Sequence, residues 1–150
     1  MIAWQYIDKT AATIAALRDY DSMCGIISDT PEEIREAYED ITAPHSPNLT
    51  GLPPAKNPQA GADRMVNQLI RLDVLQERYR SADEYMAWFE PAWNSLTDTE
   101  QTVLREFYMS GSQRSGANAR LQNRLSYSER QIERFRQNGL SRMTLLLFGK

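Results

Sequence analysis

Apolar residues recur along this chain at intervals of three and four, the period of helices with one buried side. Trp4, Ile7, Ala11, Ile14 and Leu17 form the first stripe. It weakens across residues 21–25, which predicts a break there. Thr30-Pro31-Glu32-Glu33 then reads as a fresh helix start. The threonine can cap, proline suits the first helical position, and Glu33 can close a capping box. Ile34, Tyr38 and Ile41 continue that short helix, and Met65, Leu69, Leu72, Leu75 and Tyr79 make a second long stripe. Ser81-Ala82-Asp83-Glu84 predicts another cap or bend. Tyr85, Trp88, Phe89, Ala92 and Trp93 follow at helical spacing, and Pro91 should end or kink that piece.

The last third is more finely divided. Thr97-Asp98-Thr99-Glu100 opens a helix to about Tyr108, with Val103, Leu104, Phe107 and Tyr108 inward. A polar break at 110–116 precedes a short helix at 117–125, which turns Leu121 and Leu125 inward. Ser126-Tyr127 makes a tight turn, and a final helix runs from Ser128 to about Phe148. Its inward side is expected to hold Ile132, Phe135, Gly139, Met143 and Leu146. No stretch alternates as a strand does. The expected class is therefore all-α: long N-terminal helices forming an antiparallel hairpin or bundle, followed by a C-terminal helix-turn-helix.

Five of the seven prolines fall between Pro44 and Pro58, together with Asn48, Gly51 and Asn57. Such a segment cannot be helical, so residues of about 42–62 are read as a linker, long for a compact domain. His45 lies in it as a solvent residue. The chain thus divides into an acidic helical region, 1–95, containing this linker, and a domain at 96–150.

Composition narrows the function. The chain has 150 residues, 41% of them hydrophobic and 25% charged, with a mean hydropathy of −0.58. No apolar run approaches the ~20 residues of a membrane span. The N-terminus lacks the basic and apolar segments of a secretory signal, so a cytosolic, non-secreted protein is expected. Cys24 and His45 are the single cysteine and histidine, so neither a disulfide framework nor a structural zinc site is expected. There is no G-x-x-x-x-G-K-S/T, no metal-ligand cluster and no Ser-His-Asp set. An enzyme is not expected, nor a cofactor or a small-molecule substrate. Trp4, Trp88 and Trp93 are expected to complete a core or, less favoured, an oligomer seam.

The net charge of −3 hides an asymmetry: residues 110–150 carry +6 and residues 1–109 carry −9. Arginine supplies 14 of the 17 basic residues. That bias suits bidentate recognition of phosphates and bases better than mere solvation. It also gives residues 117–148 a reading as a helix-turn-helix. Ser128 caps the second helix and Gln131 returns the cap, while Tyr127 can plug the angle between the helices. Arg130, Arg134 and Gln137 lie opposite the apolar side, with Glu133 beside them. A major groove accepts one helix, whose N-terminal side chains meet base edges. Arginine matches guanine and glutamine matches adenine in bidentate fashion. The candidate DNA-contacting residues are therefore Ser128, Glu129, Arg130, Gln131, Arg134 and Gln137 on the second helix. Arg114, Arg120 and Arg124 join them, placed for phosphate contacts.

LTDTEQTVLREFYMSG, LQNRLSYSERQIERFRQNGLSRM and the terminal LLLFG resemble the C-terminal half of RinA/ArpU-type phage regulators. That half is similar in turn to region 4 of sigma-70 factors. The matching pieces are Leu96-Thr97-Asp98 with Glu100, Phe107-Tyr108, Leu125 with Tyr127-Ser128-Glu129-Arg130-Gln131, and Gly139-Leu140. Gln122 and Gly139 stand where that pattern usually has alanine. The resemblance implies a phage or prophage sequence-specific DNA-binding activator of late genes. Its helix 129–148 would read double-stranded DNA, and its acidic region would contact another copy or host RNA polymerase. The alternative expectation is a helical phage assembly or packaging adaptor, similar to a small terminase subunit.

Overall fold

A computed structural model describes residues 5–43, 59–109 and 115–149. Among the described residues there are five α-helices and no strand, as the sequence periodicity requires. They are α1 (Lys9–Thr42), α2 (Ala60–Asn94), α3 (Asp98–Leu104), α4 (Ala117–Leu125) and α5 (Glu129–Phe148). The chain continues directly from α3 into a π-helical turn, Arg105–Met109. None of these helices is long and apolar enough to cross a membrane.

The long helices α1 and α2 correct three expected breaks. The first runs unbroken through residues 21–25 and through Pro31, and the second through residues 81–84. Thr30 does not cap. It lies 1% exposed inside α1, and its hydroxyl has no partner. Capping residues compete with a helix only where the helix gains little from burial. Here Leu17 and Ala37 are buried on α1, and Ala82 is fully buried at the expected bend. That tertiary burial outweighs the local preference and the missing N–H of Pro31. Pro91 likewise does not end α2. The helix stops at Asn94, where Ser95 and Leu96 donate to the Ala92 and Trp93 carbonyls at 3.2 Å. The start of α2 at Ala60 trims the expected linker. His45 and all five prolines of the linker lie outside the described residues.

Two compact units result, and they cut the chain differently from a boundary at residue 95. One comprises Met1–Cys24 with Glu84–Lys150, the other Gly25–Asp83. In the second unit, Ile34, Ala37 and Ile41 of α1 meet Leu72 and Leu75 of α2.

In the first unit, Leu17 of α1 and Phe89 and Trp93 of α2 share a core with Leu104, Leu140, Met143 and Leu147. Phe89 stacks between Tyr85 and Trp93, with ring centroids at 5.3 and 6.0 Å. Tyr85 also donates its hydroxyl to the Ala16 carbonyl, and burial pushes its phenol well above the usual range. Trp93 is buried as expected. Trp88 is 41% exposed at the rim, where its indole N–H reaches the Leu147 carbonyl at 3.3 Å. Trp4 lies outside the described residues. On α5 the expected inward Leu146 is half-exposed, and Leu147 and Leu140 are buried instead. After Met143 the next inward position falls four residues on rather than three, within the ordinary drift of a 3.6-residue period.

Candidate nucleic-acid interface

The short helix α4 is bounded by two left-handed residues. Gly116 precedes it at φ 80°, and Ser126 ends it at φ 57° while donating its N–H to the Gln122 carbonyl at 3.0 Å. A non-glycine residue in this region is uncommon and costs local strain. It turns the chain sharply enough for α5 to begin three residues later. Ser128 then caps α5: its hydroxyl accepts from the Gln131 N–H at 3.3 Å, and its own N–H donates to the Gln131 side chain at 3.1 Å. Both partners of the expected capping box are in place. Tyr127 packs its ring on Phe135, with centroids 5.2 Å apart.

Under this turn, Val103 of α3, Leu121 of α4 and Ile132 of α5 are completely buried against one another, with Phe107, Leu125 and Phe135 around them. This cluster fixes the angle at which α5 leaves the turn. Farther along α5, a Cβ added at Gly139 would meet Leu104 Cδ1 at 3.0 Å and Cγ at 3.3 Å. Glycine in place of alanine thus lets α5 lie closely on α3, at the usual cost of a flexible residue inside a helix.

The four arginines of α5 are sorted by this packing. Arg136 points inward. It pairs with Glu133 through two hydrogen bonds, donates to the Tyr108 hydroxyl at 3.1 Å, and lies 5.1 Å over the Phe107 ring. Hydrogen bonding to Arg136 holds the Glu133 carboxyl below the usual carboxylate range, and the same bond raises Arg136. Arg142 reaches the buried Glu100 at 3.0 Å, the residue that also closes the cap of α3 by accepting from the Thr97 N–H. Arg130 and Arg134, in contrast, are exposed, and among the described residues neither has a hydrogen-bond or ion-pair partner.

Around these two arginines lies a shallow groove of ≈ 800 Å³, lined by Asn118, Ser128, Glu129, Arg130, Glu133, Arg134, Gln137 and Asn138. A smaller adjoining hollow of ≈ 400 Å³ is lined by Ser128, Arg130, Gln131 and Arg134. All six candidate residues of the second helix are therefore brought to one surface. Gln137 donates to Glu133 at 3.2 Å, and Glu129 accepts from Asn118 of α4 at 3.1 Å. The N-terminus of α5, with its unpaired backbone N–H groups, opens at the same place and favours an anion.

The three candidate phosphate contacts fare differently. Arg120 donates to Glu106 at 3.2 Å and to the Ser115 carbonyl at 3.0 Å, and Arg124 approaches Glu106 at 3.7 Å. Both are thus held on the acidic side chain of the π-helical turn. Arg114 lies outside the described residues. Sequence reasoning missed Asn118, Asn138 and the anchoring acids Glu100 and Glu106. The spacing 130, 134, 138 offered a signal for Asn138. Nothing local pairs Glu106 with Arg120, or Glu100 with Arg142. No group of three or more metal-ligating side chains occurs among the described residues. No family model, curated protein or solved structure matches the chain.

Proposed function

We propose that this chain binds double-stranded DNA in a sequence-specific manner through a helix-turn-helix formed by α4 and α5, with the first turns of α5 in the major groove. One observation carries the reading: Arg130 and Arg134 stand unpaired and exposed at the capped end of α5, while Arg136 and Arg142 on the same helix are each engaged by an acid. Unpaired guanidiniums one helical turn apart suit bidentate contacts to guanine, and Gln137 and Asn138 suit adenine. Arg120 and Arg124, steadied by Glu106, remain partly exposed and supply phosphate contacts that orient the helix. The acidic region repels DNA and is left to contact protein. By its resemblance to RinA/ArpU-type regulators, the chain is a phage or prophage activator of late genes working with host RNA polymerase in the bacterial cytoplasm, and not an enzyme.

Selection from a library of random duplexes tests this. One enriched sequence family is expected, with affinity falling steeply as salt rises. Absence of enrichment together with salt-insensitive or absent binding overturns the reading. The second reading, a helical assembly or packaging adaptor, is favoured by the exposed apolar face of α2 and predicts a ring of eight or more copies.

A further inference from the structure

The groove beside α5 is not built for phosphates alone. Two guanidiniums, Arg130 and Arg134, share it with two carboxylates, Glu129 and Glu133, so their formal charges cancel. Carboxylates are repelled by phosphates. In a major groove they find favourable partners only at the amino groups of the base edges. Glu133 is already engaged by Arg136 and Gln137. Glu129, exposed in the first turn of α5, has one oxygen bonded, and the other has no partner among the described residues.

The bonded oxygen is held by a relay from α4. A carboxylate only accepts, so the Asn118 side chain turns its NH2 group to Glu129 Oε1, at 3.1 Å. That leaves the Asn118 side-chain carbonyl to accept from the NH2 group of Gln122, one helical turn along α4, at 3.3 Å. Both amides are half-buried. The relay fixes one oxygen of Glu129 and leaves Oε2 as the acceptor open to a ligand in the groove.

Resting on the reading of α5 as the helix that enters the major groove, we infer that Glu129 selects cytosine by accepting from its N4 amino group, and that Asn118 and Gln122 are positioning residues that hold the carboxylate for this contact. Adenine also offers an amino group there, but its N7 acceptor lies beside it and repels a carboxylate. Guanine and thymine offer only acceptors on that edge.

Affinities of the full chain for its selected duplex, and for single base-pair replacements of that duplex, test this. One C·G pair is expected whose replacement costs wild type about tenfold. Glu129→Ala should bind all four pairs at that position alike, keep its preferences at the other positions, and bind random duplex a few-fold more tightly at low salt. Glu129→Gln should move the preference to adenine, because an amide matches N6 and N7 together. Asn118→Ala and Gln122→Ala should each reduce the preference at that one position to roughly threefold, with the other positions and the helical circular dichroism unchanged. A Glu129→Ala variant that keeps the wild-type preference at every position overturns the proposal and leaves the DNA-binding reading intact. Uniform weakening on all duplexes by Asn118→Ala and Gln122→Ala overturns their positioning role. No enriched duplex at all overturns both the proposal and the reading beneath it.

Discussion

The two flanks of α5 carry the same residue type to opposite ends. On the outer flank, Arg130 and Arg134 meet no acid. On the inner flank, Arg136 and Arg142 are consumed by Glu133 and Glu100. The basic charge of the C-terminal quarter is therefore not one surface. Part of it is structural, holding α5 onto α3 and its π-helical extension, and part is free to bind. Arginine count overstates the nucleic-acid footprint of a helix whenever acids, on the helix itself or on a neighbouring element, already hold some of its guanidiniums.

The largest expected effect sharpens this division. Arg130→Ala and Arg134→Ala should each weaken binding to the selected duplex by about 1–3 kcal/mol, while leaving the melting temperature nearly unchanged. Direct titration by fluorescence anisotropy, beside a thermal melt, measures both quantities. Specific binding by the double variant equal to wild type would show that α5 is not the reading helix.

The inner flank should respond in the reverse sense. Arg142→Ala leaves the Glu100 carboxylate, 5% exposed, with only the Thr97 N–H as partner. Loss of one partner from a fully buried pair costs about 3–5 kcal/mol. Arg142 itself is 45% exposed, so solvent screening reduces this to roughly 1–2 kcal/mol in a urea unfolding curve. A variant as stable as wild type but weakened on all DNA sequences alike would transfer Arg142 to the binding flank.

How much of this was legible depended on distance along the chain. The last helix, its serine cap and the Gln131 return are local events, and the sequence placed them correctly, as it did α4. The outward direction of Arg130 and Arg134 followed from a single helical period. The pairing of Arg142 and Arg120 did not, because Glu100 and Glu106 lie 42 and 14 residues away, whereas Arg136 meets Glu133 only three residues away. The long helices went the other way. Thr30-Pro31 and Ser81–Glu84 carry local start signals that burial of Leu17, Ala37 and Ala82 overrides.

Gly139 separates local propensity from packing directly. Alanine there would gain about 1 kcal/mol of helix propensity. It would also force its methyl against the Leu104 side chain, which is fully buried and has little room to retreat. Overpacking of this kind costs about 1–3 kcal/mol, so Gly139→Ala should destabilise by roughly 1 kcal/mol on balance. A stabilised variant would show that α3 and α5 yield to each other, and the glycine would then serve no close approach.

The smallest effect concerns Glu133, which sits between the two flanks. Its hydrogen bonds from Arg136 lower its folded-state titration below the ordinary value of 4.5. A carboxyl lowered on folding contributes stability that is fully present above the unfolded value and is lost as pH falls through the folded one. Glu133→Gln should therefore melt below wild type at pH 7, and the gap should close as pH descends from about 4.5 through the lowered folded value. The same substitution removes a negative charge beside Arg134 and frees Arg136, so duplex affinity at pH 7 should rise slightly and non-specifically. A melting gap that stays constant from pH 7 down to pH 3 would mean that the Glu133–Arg136 pair holds α5 by shape rather than by charge, and the inner flank would lose its electrostatic distinction from the outer one.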